Sequence, residues 1–244
     1  MISPKVNLLL EQLPDADFQR LLPDLQLITL VVGQHLAEPG DVHEKIIFPV
    51  TATIGIAMVL SDGCVIETAM IGREGISGVR ALEWPTGLHR IYVIESGLAY
   101  SISRSRLLQE AQTGSAIYKM FFLASIQTLR RISLEMACSH FHSIDQRLAR
   151  WLLNRSDLSG SILIKSTHQG IADALGVRRE AVTNAFRKLH GIEYQRGYIE
   201  IQDDSLLKND CCECYFSQKE KQPHQLALPF HASTWHAPNF EKNS

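Results

Sequence analysis

THQGIADALGVRREAVTNAFRK, residues 167–188, reads as two short helices joined by a glycine turn. Ala172 is small enough to let two helices approach, and Gly176, four positions on, takes a left-handed turn at little steric cost. Ile171, Leu175, Val177 and Val182 supply the apolar contacts between the two helices. The second helix opens on Arg178, Arg179 and Glu180. Two arginines at that end oppose the helix dipole, which favours an anionic partner. In a unit of this shape the start of the second helix enters the major groove of DNA, where arginine donates to guanine O6 and N7 and glutamate accepts from cytosine N4. The plainer reading, a solvated first turn, is the usual fate of a charged helix start.

The flanks favour the first reading. Upstream, Ser143-Ile144-Asp145-Gln146 is a capping box that opens a helix running through Leu153. Downstream, residues 194–201 alternate around Arg196-Gly197, the pattern of a β-hairpin wing whose tip would bring Arg196 to a phosphate. The chain as a whole has 24 Lys and Arg against 26 Asp and Glu, a net charge of −2, but the charge is unevenly spread. Residues 178–198 carry five basic residues against Glu180 and Glu193. Phosphate neutralisation drives affinity for nucleic acid, so a local excess of this size implies moderate binding that a dimer would strengthen.

The N-terminal half is patterned differently. Leu9, Leu10, Leu13, Phe18, Leu21 and Leu22, interrupted by Pro14, predict one or two short helices over residues 5–22. From residue 25 to about 100, runs rich in Val, Ile and Thr at 27–32, 45–48, 54–60, 65–71 and 89–95 alternate with Gly, Pro and Asp, which predicts an antiparallel β-roll. Residues 114–139 lack Pro and Gly after Gly114 and place Ile117, Phe121, Phe122, Ile126, Leu129 and Ile132 along one helix. A helix of this length with a continuous apolar stripe is expected to pair across a two-fold axis.

The fold class expected is therefore α+β: an N-terminal helix and antiparallel β-roll over 1–112, a dimerisation helix over 113–142, a winged helix-turn-helix over 143–207, and a largely unstructured tail over 208–244. The tail assignment rests on lost periodicity and on Pro223, Pro229 and Pro238.

This order of parts resembles the Crp-Fnr family of bacterial transcription regulators over about residues 5–207. The resemblance is carried by Thr167-His168-Gln169, Ile171-Ala172, Gly176 and Arg179-Glu180-Ala181-Val182, by Phe48-Pro49, by residues 71–75, and by residues 138–153. It implies a cyclic-nucleotide-binding-like roll, Arg179, Glu180 and Asn184 reading bases, and Thr167 and His168 at the phosphate backbone; from their places at the start of the second helix and at the wing tip, Arg178 and Arg196 are expected as further phosphate contacts. One lysine precedes Leu8-Leu9-Leu10 and that apolar run breaks at Glu11, so no signal peptide or membrane span is expected and the setting expected is cytoplasmic; with the homodimer expected from the long helix, the partners expected are a second copy, double-stranded DNA and RNA polymerase. Asn184 stands where another member has arginine, and residues 189–193 are shorter than in relatives, which bears on the wing.

The effector motifs do not carry over. Arg90 precedes Ile91 rather than a small hydroxyl residue, and Glu74 follows an intrusive Arg73, so no cyclic nucleotide is expected; no cysteine precedes Cys64, so neither is an N-terminal iron–sulfur cluster. Cys138 and His142 stand four apart on a helix, but two ligands do not make a site. Cys211-Cys212-Glu213-Cys214 holds one C-x-x-C, which binds metal strongly only when a second ligand pair is available. No metal or cofactor is assigned. A cupin-like metal-dependent enzyme or a simple ligand-binding module is the alternative, but His35 and His43 are eight apart, and no P-loop or nucleophile elbow is present.

Overall fold

Alternating apolar side chains in the N-terminal half build two antiparallel sheets packed face to face. The computed structural model describes residues 2–78, 86–113, 115–195 and 197–219. Short helices α1 (Leu8–Glu11) and α2 (Asp15–Leu21) lead into β1 (Gln26–Leu30), β2 (His35–Ala37), β3 (Lys45–Pro49), β4 (Thr53–Val59), β5 (Val65–Ile71), β6 (Arg90–Glu95) and β7 (Gly97–Ser103). One sheet has the order β1-β7-β3 and the other β2-β6-β4-β5. Strand period decides which way each side chain faces. In β3, Ile46 and Phe48 point to a core shared with the helices, while Ile47 points into the core between the sheets. The first sheet is thus covered on both sides, which is why β3 and β7 carry few polar residues.

The helical layer over that sheet contains α1, α2, α3 (Arg104–Thr113) and the start of α4 (Ser115–Phe141), a helix of 27 residues. Ile117, Met120, Phe121 and Ala124 join Leu9, Leu10, Phe18 and Leu21 in its core. The stripe expected along α4 therefore divides. Ile117 and Phe121 are buried on the chain's own roll, whereas Phe122, Ile126 and Leu129 are exposed, together with Tyr118 and Met136.

Beyond α4, the Ser143 capping box is present and starts α5 (Ile144–Ser159). There follow β8 (Leu163–Lys165), α6 (His168–Leu175), α7 (Arg179–Phe186), β9 (Ile192–Gln195) and β10 (Tyr198–Ile201). The three strands form an antiparallel sheet ordered β8-β10-β9. Trp151, Leu148 and Leu152 of α5 pack with Ile171, Leu175, Val182, Ala185, Ile199 and Ile201 in a separate core.

This C-terminal unit is docked on the roll. Trp151 Nε1 donates to Glu67 Oε1 at 3.1 Å, Tyr92 Oη donates to Glu67 Oε2 at 2.7 Å, and Arg155 pairs with Glu95. Burial raises the pKa of Glu67, while the hydrogen bonds from Tyr92 and Trp151 oppose that rise.

The boundary expected at 208 is corrected by the structure. Asp203 caps α8 (Asp204–Asp210), and α9 (Cys214–Lys219) follows, so residues 208–219 are folded; residues 220–244 lie outside the described residues. The helices are too short for a periodic apolar signal, but Leu207 and Tyr215 are inserted into the core formed by α5. Deleting the Tyr215 side chain leaves a cavity there. Tyr215→Ala is expected to cost on the order of 3 kcal/mol in denaturant unfolding, whereas a tail that contributed nothing would leave the midpoint unchanged.

Candidate DNA-binding site

Helix α6 is capped at its start by Thr167, whose Oγ1 accepts the Gly170 amide at 3.0 Å, and at its end by Gly176 with φ +64°. A side chain at Gly176 would be strained by that dihedral and would also place its Cβ 2.8 Å from Ile66 on β5. The turn therefore needs glycine for two reasons, one local and one from packing against the roll. Val177 N donates back to Ala172 O at 2.9 Å, which closes the turn and aims α7. Arg147 of α5 donates to Leu175 O, tying the scaffold helix to the end of α6.

On α7, Val182 and Ala185 are fully buried, while Arg179, Glu180, Asn184 and Arg187 are exposed. At 3.6 residues per turn the exposed four span an arc of about 140°. Arg178 is the N-cap and supplies no side-chain cap bond. The side chains of Arg178, Arg179 and Glu180 make no hydrogen bond or ion pair with another described residue, so the start of α7 presents two cations and one carboxylate to solvent. Asn184 Oδ1 is 3.5 Å from an Arg187 guanidinium nitrogen, a long contact that leaves the amide available. Lys188 is held by Asp145 at 2.8 Å.

Two of the residues expected at phosphate have structural duties as well. The hydroxyl of exposed Thr167 accepts the cap bond and keeps its own proton to donate. His168 is half-buried: its ring stacks on Phe186 at 4.8 Å between centroids and lies 4.4 Å from Tyr194, and its Nδ1 bonds Thr183 Oγ1 at 2.9 Å. Its Nε2 is buried without a partner among the described residues. The imidazole thus braces α6 against α7 and the wing. Thr183, Phe186 and Tyr194 were missed in the sequence because their role exists only once α6, α7 and β9 meet.

The wing is the hairpin β9–β10, with Tyr198 opposite Gln195. Arg196 lies outside the described residues. The link before the wing is closed by Gly191, at φ +72°, whose carbonyl accepts the amides of Gln202 and Asp203 at 2.8 and 3.1 Å.

Residues 146–209 match the family model of the Crp-like helix-turn-helix domain. The chain carries a Crp-like helix-turn-helix domain. Solved structures with the same fold across most of the chain are FixK2 from Bradyrhizobium japonicum (18% identity, 77% of this chain and 98% of that one, TM-score 0.65) and a putative transcriptional regulator of the crp/fnr family from Eubacterium rectale (17%, 84% and 98%, 0.67). A third is the c-di-GMP responsive global regulator CLP of Xanthomonas campestris (16%, 78% and 100%, 0.66). At these identities the likeness is one of fold. No curated protein matches the chain. The Crp-like domain on the roll-and-helix fold of Crp/Fnr regulators makes this a DNA-binding transcription regulator. Among the described residues, no helix is long and apolar enough to cross a membrane.

Burial, followed by the positive charge of Arg179, holds the pKa of His168 below its ordinary 6.5. The unfolded chain then binds a proton that the folded Crp-like domain refuses, so stability present above pH 6.5 is lost as pH falls from that value through the lowered pKa. Thermal melts between pH 7.5 and 5 should show this loss, and His168→Phe, which keeps the stack, should make the slope shallower.

Proposed function

We propose that the chain acts as a homodimer that reads a pseudo-palindromic operator, with a signal received by the roll and passed through α4. The observation that carries the reading is the outward arc of Arg179, Glu180 and Asn184 on a helix whose opposite face is anchored in the core of a Crp-like domain. In this reading Arg179 faces guanine, Glu180 accepts from cytosine and Asn184 reads a third base, while Arg178, Thr167, His168 through its amide, and Arg196 sit at phosphates. The division is then residues 1–112 for sensing, 113–142 for pairing and 143–219 for DNA binding. RNA polymerase and a cytoplasmic setting follow from the regulator class.

The dimer is supported by the second face of α4. Tyr118, Phe122, Ile126, Leu129 and Met136 are exposed at spacings of four, four, three and seven residues, a coiled-coil pattern. Leu129 is 60% and Met136 63% accessible in the single chain. Half-sites on DNA are spaced by about one helical turn, so two copies joined along α4 would place two α7 helices on one face of the duplex.

The cupin-like alternative fares worse. Glu38 is taken by both Arg90 at 3.0 Å and His35, and His43 is buried beside Gly87 on another strand connection, so these groups do not converge on one ion.

Selection of binding sequences from random duplexes tests the reading. The wild type should return a two-fold related site. Arg179→Ala should cost about 1–3 kcal/mol at that site and relax one base pair, whereas Arg178→Ala should weaken all sequences alike and lower the salt slope by about one unit. An unchanged base preference in Arg179→Ala would reject the proposed register. Ile126→Glu should yield monomers in sedimentation with weakened operator binding; an unaltered dimer would move the interface away from α4.

A further inference from the structure

Two segments of the chain, 138–142 and 212–214, bring sulfur and nitrogen ligands to one point beneath the junction of α4 and α5. Cys138 lies in the last turn of α4, His142 in the link to α5, Cys212 in the loop after α8, and Cys214 at the start of α9. Their ligand atoms all lie within 4.8 Å of one another. Cys138 Sγ is 3.5 Å from Cys212 Sγ, and Cys214 Sγ is 3.7 Å from His142 Nδ1. Zinc–sulfur bonds of about 2.3 Å and zinc–nitrogen bonds of about 2.0–2.1 Å put the edges of a tetrahedron near 3.8 and 3.6 Å. We propose that Cys138, His142, Cys212 and Cys214 form a structural zinc site that clamps the C-terminal segment to the hinge between the long helix and the Crp-like domain.

The surroundings fit such an ion. All three cysteines are buried and His142 is mostly so. His142 Nε2 is 3.1 Å from Glu213 Oε1, which fixes the tautomer with the proton on Nε2 and the Nδ1 lone pair turned to the cysteines. A carboxylate behind a histidine ligand is the common second layer of zinc sites. Three thiolates and a neutral imidazole around Zn²⁺ leave one negative charge, and buried Arg150, whose positive charge acts on Cys138 and Cys212, keeps its Nε without a partner among the described residues. Thiolates and one imidazole are a soft set that selects zinc over harder divalent cations, and a cubane cluster would hold its ligands farther apart. Cys211, the other half of the C-x-x-C, is turned away and bonds Lys208 O at 3.2 Å, so the pair used is Cys212 and Cys214.

On binding, three S–H bonds release their protons to solvent while three Zn–S bonds and one Zn–N bond form; no electron is transferred. The clamp would fix α9, whose Ser217 carbonyl accepts from Arg130 of α4 and whose Gln218 accepts from Asn154 of α5.

The test is made on the full chain purified anaerobically. Elemental analysis should find about one zinc per chain, and replacement by Co²⁺ should give the intense visible bands of tetrahedral thiolate cobalt. Cys212→Ser and Cys214→Ser should lose the metal, Cys64→Ser and Cys211→Ser should keep it, and Glu213→Gln, with all four ligands intact, should bind about ten- to a hundredfold more weakly. The wild type gives a reading that needs no variant: a thiol reagent should reach Cys64 and Cys211 in the loaded protein and all five cysteines after chelation, with the melting temperature lowered. Octahedral cobalt spectra, absence of zinc after exposure to excess Zn²⁺, a Cys138–Cys212 disulfide in the anaerobic protein, or equal loss in the Cys211→Ser variant would each overturn the proposal.

Discussion

Helix α4 is the element on which the other parts depend, because a helix of 27 residues cannot satisfy an apolar surface of that size against one neighbour. Its first turns are buried by the roll through Ile117, Met120, Phe121 and Ala124. Lower down, Arg131 reaches Glu74 at 2.8 Å and Met70 O on the roll, Arg130 reaches α9, and Glu135 takes Arg150 of α5. The remaining stripe, from Tyr118 to Met136, faces solvent in the single chain. One helix thus contacts the roll, α5 and α9.

The joint between roll and DNA-binding domain is polar where the cores on either side are apolar. Glu67 is buried with Tyr92, Trp151 and Arg155 around it, and Ile66, next to it on β5, packs on the glycine turn between α6 and α7. Breaking one partner of such a network leaves a buried polar group unpaired, which costs about 1–3 kcal/mol. That makes the docked arrangement specific rather than merely sticky. It also places the glycine turn between α6 and α7 against Ile66, one residue from the buried Glu67.

The aromatic brace of His168, Phe186 and Tyr194 adds a second constraint from the other side. It joins α6, α7 and the wing, so the outward arc of α7 is held by packing behind it and not by contacts among its own charged groups. Among the described residues Arg178, Arg179 and Glu180 have no side-chain hydrogen-bond or ion-pair partner, which costs little for exposed groups in water.

What depends on near neighbours along the chain was legible from the residues alone. The capping box at Ser143, the glycine turn at Gly176, the hairpin around Gly197 and the strands at 45–49, 53–59, 65–71 and 90–95 follow from steric and hydrogen-bonding rules that act over a few residues. Tertiary structure alone decided the rest. The split of the α4 stripe between roll and solvent was settled by which face the sheet covers, and the fate of residues 208–219 by whether Leu207 and Tyr215 find room beside α5. Cys138 and His142 looked like an incomplete pair because their partners lie about seventy residues away, and nothing in a local pattern says that the chain returns to them. The physical reason is the same in each case: burial and ligand convergence are properties of surfaces that meet, and they have no period along the chain.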